Sequence, residues 1–234
     1  MAAPYLVEVR TGGELKNNLR EIIYDVADRF NVQGAAQPRA VPHITLFGPY
    51  NTNQGYAVKE SLQSVLAQYD LVPYRIDGFD AFPENNVIYA KVIPSPELRA
   101  LRRDISRTLR KSTYNQRPWD TQYYYDFHIT IAFKDVGSKF DDIWDYVTDR
   151  YEPQYEEYAI RVPSLRRGEM LWEYDLLQDE VLSPDAATTA ETWKRSMELL
   201  EEKKSSQDHT SLSPKPTLPR RYAAWGKAKL TRSW

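Results

Sequence analysis

Two of the three histidines in this 234-residue chain stand in the same local setting. His43 lies in "VPHITLFGPY" and His128 in "YDFHITIAFKD", each followed by isoleucine and then by a threonine, Thr45 and Thr130. Residues i and i+2 of a β-strand lie on one face, about 6.6–6.8 Å apart. Each histidine is thus expected to share a face with its threonine, with Ile44 and Leu46, or Ile129 and Ile131, on the apolar side. A lone histidine in an apolar strand is more often a core residue than a catalyst. With fourteen threonines in the chain, however, chance sets Thr two places after two of three histidines only about once in a hundred chains.

Cleaving a phosphodiester needs a base for the attacking oxygen and an acid for the leaving one, on opposite sides of phosphorus. Imidazole can serve in either role near neutral pH. A threonine hydroxyl can donate to a non-bridging phosphoryl oxygen where negative charge grows. Two such pairs make a complete set for phosphodiester chemistry that needs neither a metal nor a cofactor.

The pattern around the motifs supplies elements to hold them. Tyr5 to Val9 reads as a strand, followed by a helix over 13–30 with Leu15, Leu19, Ile22, Val26 and Phe30 at helical spacing. After the first histidine strand comes a helix with Val58, Leu62, Val65 and Leu66 inward, then strands near Tyr74 to Phe82 and Val87 to Val92. Ser95 as N-cap and Pro96 at the first helical position start a third helix, and 112–121 reads as a loop before the second histidine strand. A helix over 140–151, one strand near Glu156 to Val162, another over Gly168 to Leu177 and a last helix from Ser183 to about Lys203 complete the chain. Strand, helix, loop and H-x-T strand occur twice, as Tyr5 to Phe47 and Val87 to Phe133. The expectation is an α+β fold of two small antiparallel sheets related by a pseudo-two-fold axis, with helices outside and a central groove. The organisation expected is a bilobal domain over 1–182, a C-terminal helix over 183–203 and a basic, proline-containing tail over 204–234.

Composition narrows the partners. No apolar run is long enough for a membrane span, no signal peptide is legible at the start and there is no cysteine, so a cytoplasmic, monomeric protein without disulfides is expected. Residues 203–234 hold eight Lys/Arg against Asp208 alone, net +7, leaving −9 on residues 1–202 of a chain with net charge −2. Such an acidic body suits one RNA end or linkage better than a long duplex. The tail interleaves its cations with Tyr222, Trp225 and Trp234 and could contact RNA or a protein partner. His209, in that tail, is given no catalytic part.

"PHITLFG" and "FHITIAF", about eighty-five residues apart, resemble the paired motifs of the 2H phosphoesterase superfamily, which includes the LigT-like 2′-5′ RNA ligases and the 2′,3′-cyclic phosphodiesterases. "EMLWEYDLLQDEVLS" is similar to the closing segment of some LigT-like proteins. The resemblance implies a bilobal fold and metal-independent catalysis by His43 and His128, with Thr45 and Thr130 on the phosphate of a nucleotide or RNA terminus. Many members carry Arg three residues after the second threonine, where this chain has Phe133 and then Lys134. Strand parity would place Lys134 on the histidine face as a substitute phosphate contact, the alternative being a solvated lysine. Parity likewise puts Phe47 beside His43 and Thr45, to stack on a base or to pack in the core. Which of Tyr123, Tyr124 and Tyr125 faces the groove stays open, and Arg166 and Arg167 are further candidates for a phosphate. Hydrolysis of 2′,3′-cyclic phosphate is the leading function, beside 2′-5′ ligation or phosphodiester cleavage by the same groups and a non-catalytic nucleotide-binding module. Metal binding by the two histidines is weaker, since neither has a second ligand at a suitable spacing.

Overall fold

The computed structural model describes residues 4–211. Strand β1 (Tyr5–Arg10), helix α1 (Gly13–Phe30) and strand β2 (His43–Tyr50) form the first strand-helix-strand unit. Helix α2 (Gly55–Leu66) and strand β3 (Pro73–Phe82) lead to the second, made of β4 (Val87–Pro94), α3 (Pro96–Leu109) and β5 (His128–Ala132). Then follow α4 (Phe140–Arg150), β6 (Gln154–Tyr158), β7 (Arg161–Arg166), β8 (Glu169–Asp175), β9 (Glu180–Leu182), α5 (Pro184–Ala187) and α6 (Ala190–Ser211). Every strand pairing is antiparallel, in one five-stranded sheet ordered β2-β1-β7-β8-β9 and one four-stranded sheet ordered β5-β4-β3-β6. The α+β architecture and its internal repeat are as the sequence leads one to expect. Both histidine strands are sheet edges, and the two edges approach each other across the junction of the lobes.

The helices lie where apolar spacing put them. Leu15, Leu19, Ile22, Ile23 and Val26 of α1 and Leu98, Leu101, Ile105 and Leu109 of α3 are buried in one core shared by both lobes. The Ser95 hydroxyl accepts the Leu98 N–H at 3.1 Å and Pro96 opens α3 without an amide to satisfy. Ser95→Ala is expected to cost about 1 kcal/mol of stability, measured by urea unfolding, with no change in the slope of the transition.

Three features differ from the sequence expectation. The single strand near Glu156 to Val162 is two strands, β6 at the far edge of one sheet and β7 in the middle of the other, with the chain crossing at Ala159 and Ile160. The last helix is broken: α5 closes at Ala187 with Thr188 as its C-cap, and α6 starts at Ala190. Residues 204–211, expected in the tail, continue α6, while 212–234 lie outside the described residues.

α6 is packed against the first lobe. Trp193 sits so close to Gly12 that a Cβ there would fall 2.1 Å from the indole, so only glycine fits beneath it. Leu200 joins Leu71, Ile160 and Leu177 in a small apolar cluster. Between these contacts Ser196 reaches the fully buried Arg161, which also faces Glu173 and Asp175 of β8.

Candidate active site

The register of each histidine strand defines what stands around it. In β2, His43 pairs with Arg10 and Thr45 with Glu8; in β5, His128 pairs with Lys91 and Thr130 with Tyr89. Each histidine is therefore opposite a cation, while the threonines face different groups in the two lobes. Immediately after each threonine the pairing slips by one residue. Thr45 and Phe47 pair with the adjacent Glu8 and Val7, leaving Leu46 as an extra residue, and Thr130 and Ala132 pair with Tyr89 and Ile88, leaving Ile131. Both are β-bulges, and a bulge ends the two-residue alternation of faces.

Those bulges overturn two expectations. Phe47 does not share the histidine face: the slip turns it inward beside Val7, where it is 0% exposed and packs against Tyr50. Lys134 lies beyond the end of β5 in a left-handed conformation, exposed, with Nζ over the Phe133 ring at 4.6 Å, so strand parity does not carry it to the histidine face. Arg166 pairs with Tyr5, at the end of β1 opposite to the end that holds Arg10 and His43, and stacks on the Tyr5 ring. Arg167, next in the chain, is in the same hairpin. Neither arginine is brought to the histidines.

The four motif residues do come together. The Nδ1 atom of His43 lies 2.7 Å from the Val41 carbonyl, and that of His128 lies 2.7 Å from the Asp126 carbonyl. A carbonyl oxygen only accepts, so Nδ1 carries the proton in each ring and Nε2 of the neutral imidazole has its lone pair free. The two rings are close enough for His43 to oppose protonation of His128. Thr45 and Thr130 are half-buried, and among the described residues neither hydroxyl has a hydrogen-bond partner.

The lobes differ in how they surround the rings. Phe82 meets His128 edge to face at 5.3 Å, Tyr89 at 5.2 Å and Tyr125 at 6.4 Å between centroids. Burial among these rings is the main cause that holds the His128 pKa below its ordinary value, with the charge of His43 acting the same way and the Asp126 carbonyl opposing it. His43 instead has the Glu8 carboxyl 3.5 Å from its Nε2. Glu8 is buried, and burial raises its pKa, against the opposing pull of His43 and Arg10. Arg10 is itself tied to Glu173 at 2.9 Å, while Lys91 is exposed and reaches Asp80 at 3.4 Å.

Of the three consecutive tyrosines, Tyr125 faces the site. Its hydroxyl donates to the Thr45 carbonyl at 3.1 Å, a bond from one lobe to the other. Buried Asp120 makes a second link, accepting the Gly48 N–H at 2.9 Å and the Arg117 N–H at 3.0 Å. Sequence reasoning did not reach Glu8, Arg10, Tyr89, Lys91 or Asp120. Glu8 had a signal, a carboxylate inside the otherwise apolar "YLVEV".

The chain belongs to the 2′-5′ RNA ligase superfamily, whose model matches residues 23–163, a span that includes both H-x-T motifs. The 2H phosphoesterase resemblance of those motifs and the family match agree. Among solved structures the chain is similar to E. coli LigT complexed with NADP+, at 12% identity and a TM-score of 0.45, over 78% of this chain and 97% of that one. It is also similar to E. coli LigT complexed with 3′-AMP, at 15% identity and a TM-score of 0.43, over 78% and 98% of the two chains. Kluyveromyces marxianus Usb1 is similar at 10% identity and a TM-score of 0.40, over 77% and 97%. No curated protein matches the chain. Among the described residues, no helix is long and apolar enough to cross a membrane.

Proposed function

We propose that this protein is a phosphoesterase acting on RNA ends or small nucleotides, and that it hydrolyses 2′,3′-cyclic phosphate by acid-base catalysis between His128 and His43. The observation that carries the proposal is the matched pair of Nδ1-to-carbonyl bonds, which leaves Nε2 of each histidine available for proton transfer. His128, kept neutral by its aromatic surroundings, is the base: its Nε2 takes a proton from water as the oxygen bonds to phosphorus. The bond from phosphorus to one ribose oxygen breaks, and that oxygen takes a proton from His43. The Glu8 carboxyl, 3.5 Å from His43 Nε2, is placed to orient the ring that gives this proton. The Thr45 and Thr130 hydroxyls donate to the non-bridging oxygens, and Lys91, opposite His128, is the cation for the phosphate in place of Lys134. If a ribose hydroxyl replaces water as nucleophile, the same groups join two RNA ends.

Phosphorus NMR of the protein with each 2′,3′-cyclic nucleotide in excess EDTA tests this directly. Conversion to a single monophosphate isomer is expected. No conversion, with or without a 5′-hydroxyl acceptor RNA, would remove both versions and leave a binding module. Glu8→Gln tests the division of labour. Without the carboxylate that orients the His43 ring, turnover is expected to fall while the acid limb of the pH-rate profile, set by His128, stays where it is. Turnover unchanged in Glu8→Gln would take Glu8 out of the mechanism.

A further inference from the structure

Averaged over residues 1–202 the protein is acidic, but one groove is strongly basic. It has a volume of about 890 Å³ and runs along α3 and the segment before β5. Arg99, Arg103 and Arg107 of α3 and its C-cap residue Arg110 line one side of it, joined by Arg102 and by Lys91 of β4, against two lining carboxylates, Asp80 and Asp126. Asp104 offsets part of this charge through Arg103 and Arg107, at 3.8 and 3.6 Å. The groove is continuous with the catalytic site, because Tyr89, Tyr125 and Asp126 line it and also surround His128.

Tyr123 and Tyr124 form the other wall. Each is 83% exposed, and their rings meet edge to face at 5.2 Å. Two large rings left in water beside a row of arginines are a stacking platform in want of partners. Their segment is fixed from beneath. Buried Arg102 donates to the Trp119 carbonyl at 2.5 Å and the Gln122 carbonyl at 3.4 Å, and lies over the Tyr125 ring at 3.7 Å. A pre-ordered aromatic wall opposite cations spaced one helical turn apart suits a flexible polyanion with flat bases.

We propose that this groove binds single-stranded RNA, holding the nucleotides next to the reacting phosphate with their phosphates on the α3 arginines and their bases on Tyr123 and Tyr124. The proposal rests on the phosphoesterase function above for the position of the reacting end, and makes oligoribonucleotides, not mononucleotides, the preferred substrates.

The test is fluorescence anisotropy with a labelled eight-nucleotide RNA ending in 3′-phosphate, at several salt concentrations, with unlabelled 3′-mononucleotide and polyglutamate as competitors. Arg99→Ala/Arg103→Ala and Tyr123→Ala/Tyr124→Ala alter exposed side chains away from the histidines, and thermal unfolding verifies their fold. The octamer is expected to bind at least tenfold more tightly than the mononucleotide. The arginine pair should weaken octamer binding and flatten the plot of log affinity against log salt by about 1.4, since each phosphate contact on a single strand contributes roughly 0.7. The tyrosine pair should weaken it about tenfold or more. Neither should change turnover of a cyclic mononucleotide. Octamer binding no tighter than mononucleotide, variants that change neither affinity nor slope, or equal competition by polyglutamate would overturn the proposal, the last assigning the groove to an acidic protein. Octamer binding that obeys these expectations while no substrate turns over would instead refute the catalytic function and keep the groove.

Discussion

Replacing His43 or His128 with alanine is expected to lower turnover of a 2′,3′-cyclic nucleotide by roughly 10²–10⁴-fold, the range for loss of a positioned acid or base. The fold should survive, because both rings are only half-buried on sheet edges. Base and acid act on one displacement, so losing both should cost little more than losing either, a departure from additivity that marks a joint mechanism. The wild-type pH profile carries a further expectation. A base works only when unprotonated, and the His128 pKa lies below the ordinary 6.5 chiefly because partial burial against Phe82 and Tyr89 disfavours the charged ring. As pH falls, activity should therefore persist past 6.5 and be lost only as pH passes through the lowered value. Steady-state kinetics of the single and double variants and of the wild type against pH measure both. A His128→Ala enzyme within a few-fold of wild type would rule out the assignment of His128 as base.

The largest expected effect on stability is at Arg161. Its guanidinium is 0% exposed and faces Glu173 at 3.3 Å and Asp175 at 3.2 Å, with Nη2 donating to the Ser196 hydroxyl at 2.7 Å and the Thr192 carbonyl at 3.0 Å. One side chain thus neutralises two buried carboxylates on β8 and fastens α6 to the sheet. Arg161→Ala leaves those carboxylates short of a partner, at a cost of about 3–5 kcal/mol, or a fall in Tm of roughly 6–20 °C for a chain of this size. The sign of its pH dependence follows from Glu173. Burial raises its pKa even with Arg10 and Arg161 present, so ionising it already opposes folding, and loss of Arg161 raises that pKa further. Stability of the variant should fall as pH rises through that value, making the difference from wild type larger at pH 8 than at pH 5. Thermal unfolding at the two pH values reads it, and a penalty equal at both would assign the loss to packing under Trp193 instead.

What the sequence made legible, and what it did not, divides along the range of the interactions involved. Apolar spacing placed α1 to α4 because each helix buries one stripe in a common core, and the duplicated H-x-T units were visible because a repeat survives as residues at fixed offsets. The crossing at Ala159 and Ile160 left no mark: both are buried apolar residues that read as a continuation of one strand, although β6 is a partly exposed sheet edge and β7 is buried in the middle of the other sheet. Parity misplaced Phe47 and Lys134 because the slips at Leu46 and Ile131 are set by the partner strands. Glu8 and Tyr89, which make the two histidines unequal, lie on different strands from the motifs and become neighbours only through register. Net charge, an average over the chain, was silent about five arginines gathered along one groove.

The paired bulges have a consequence for the groove itself. β2 and β5 are both open edges that approach each other, and two flat edges in that position are templates for joining into one continuous sheet. Each extra residue bends its strand and interrupts the row of amides and carbonyls a neighbour would need, at the same place after each threonine. The seam between the lobes is thereby kept from zipping into one continuous sheet, and the two histidine strands stay separate edges that face each other.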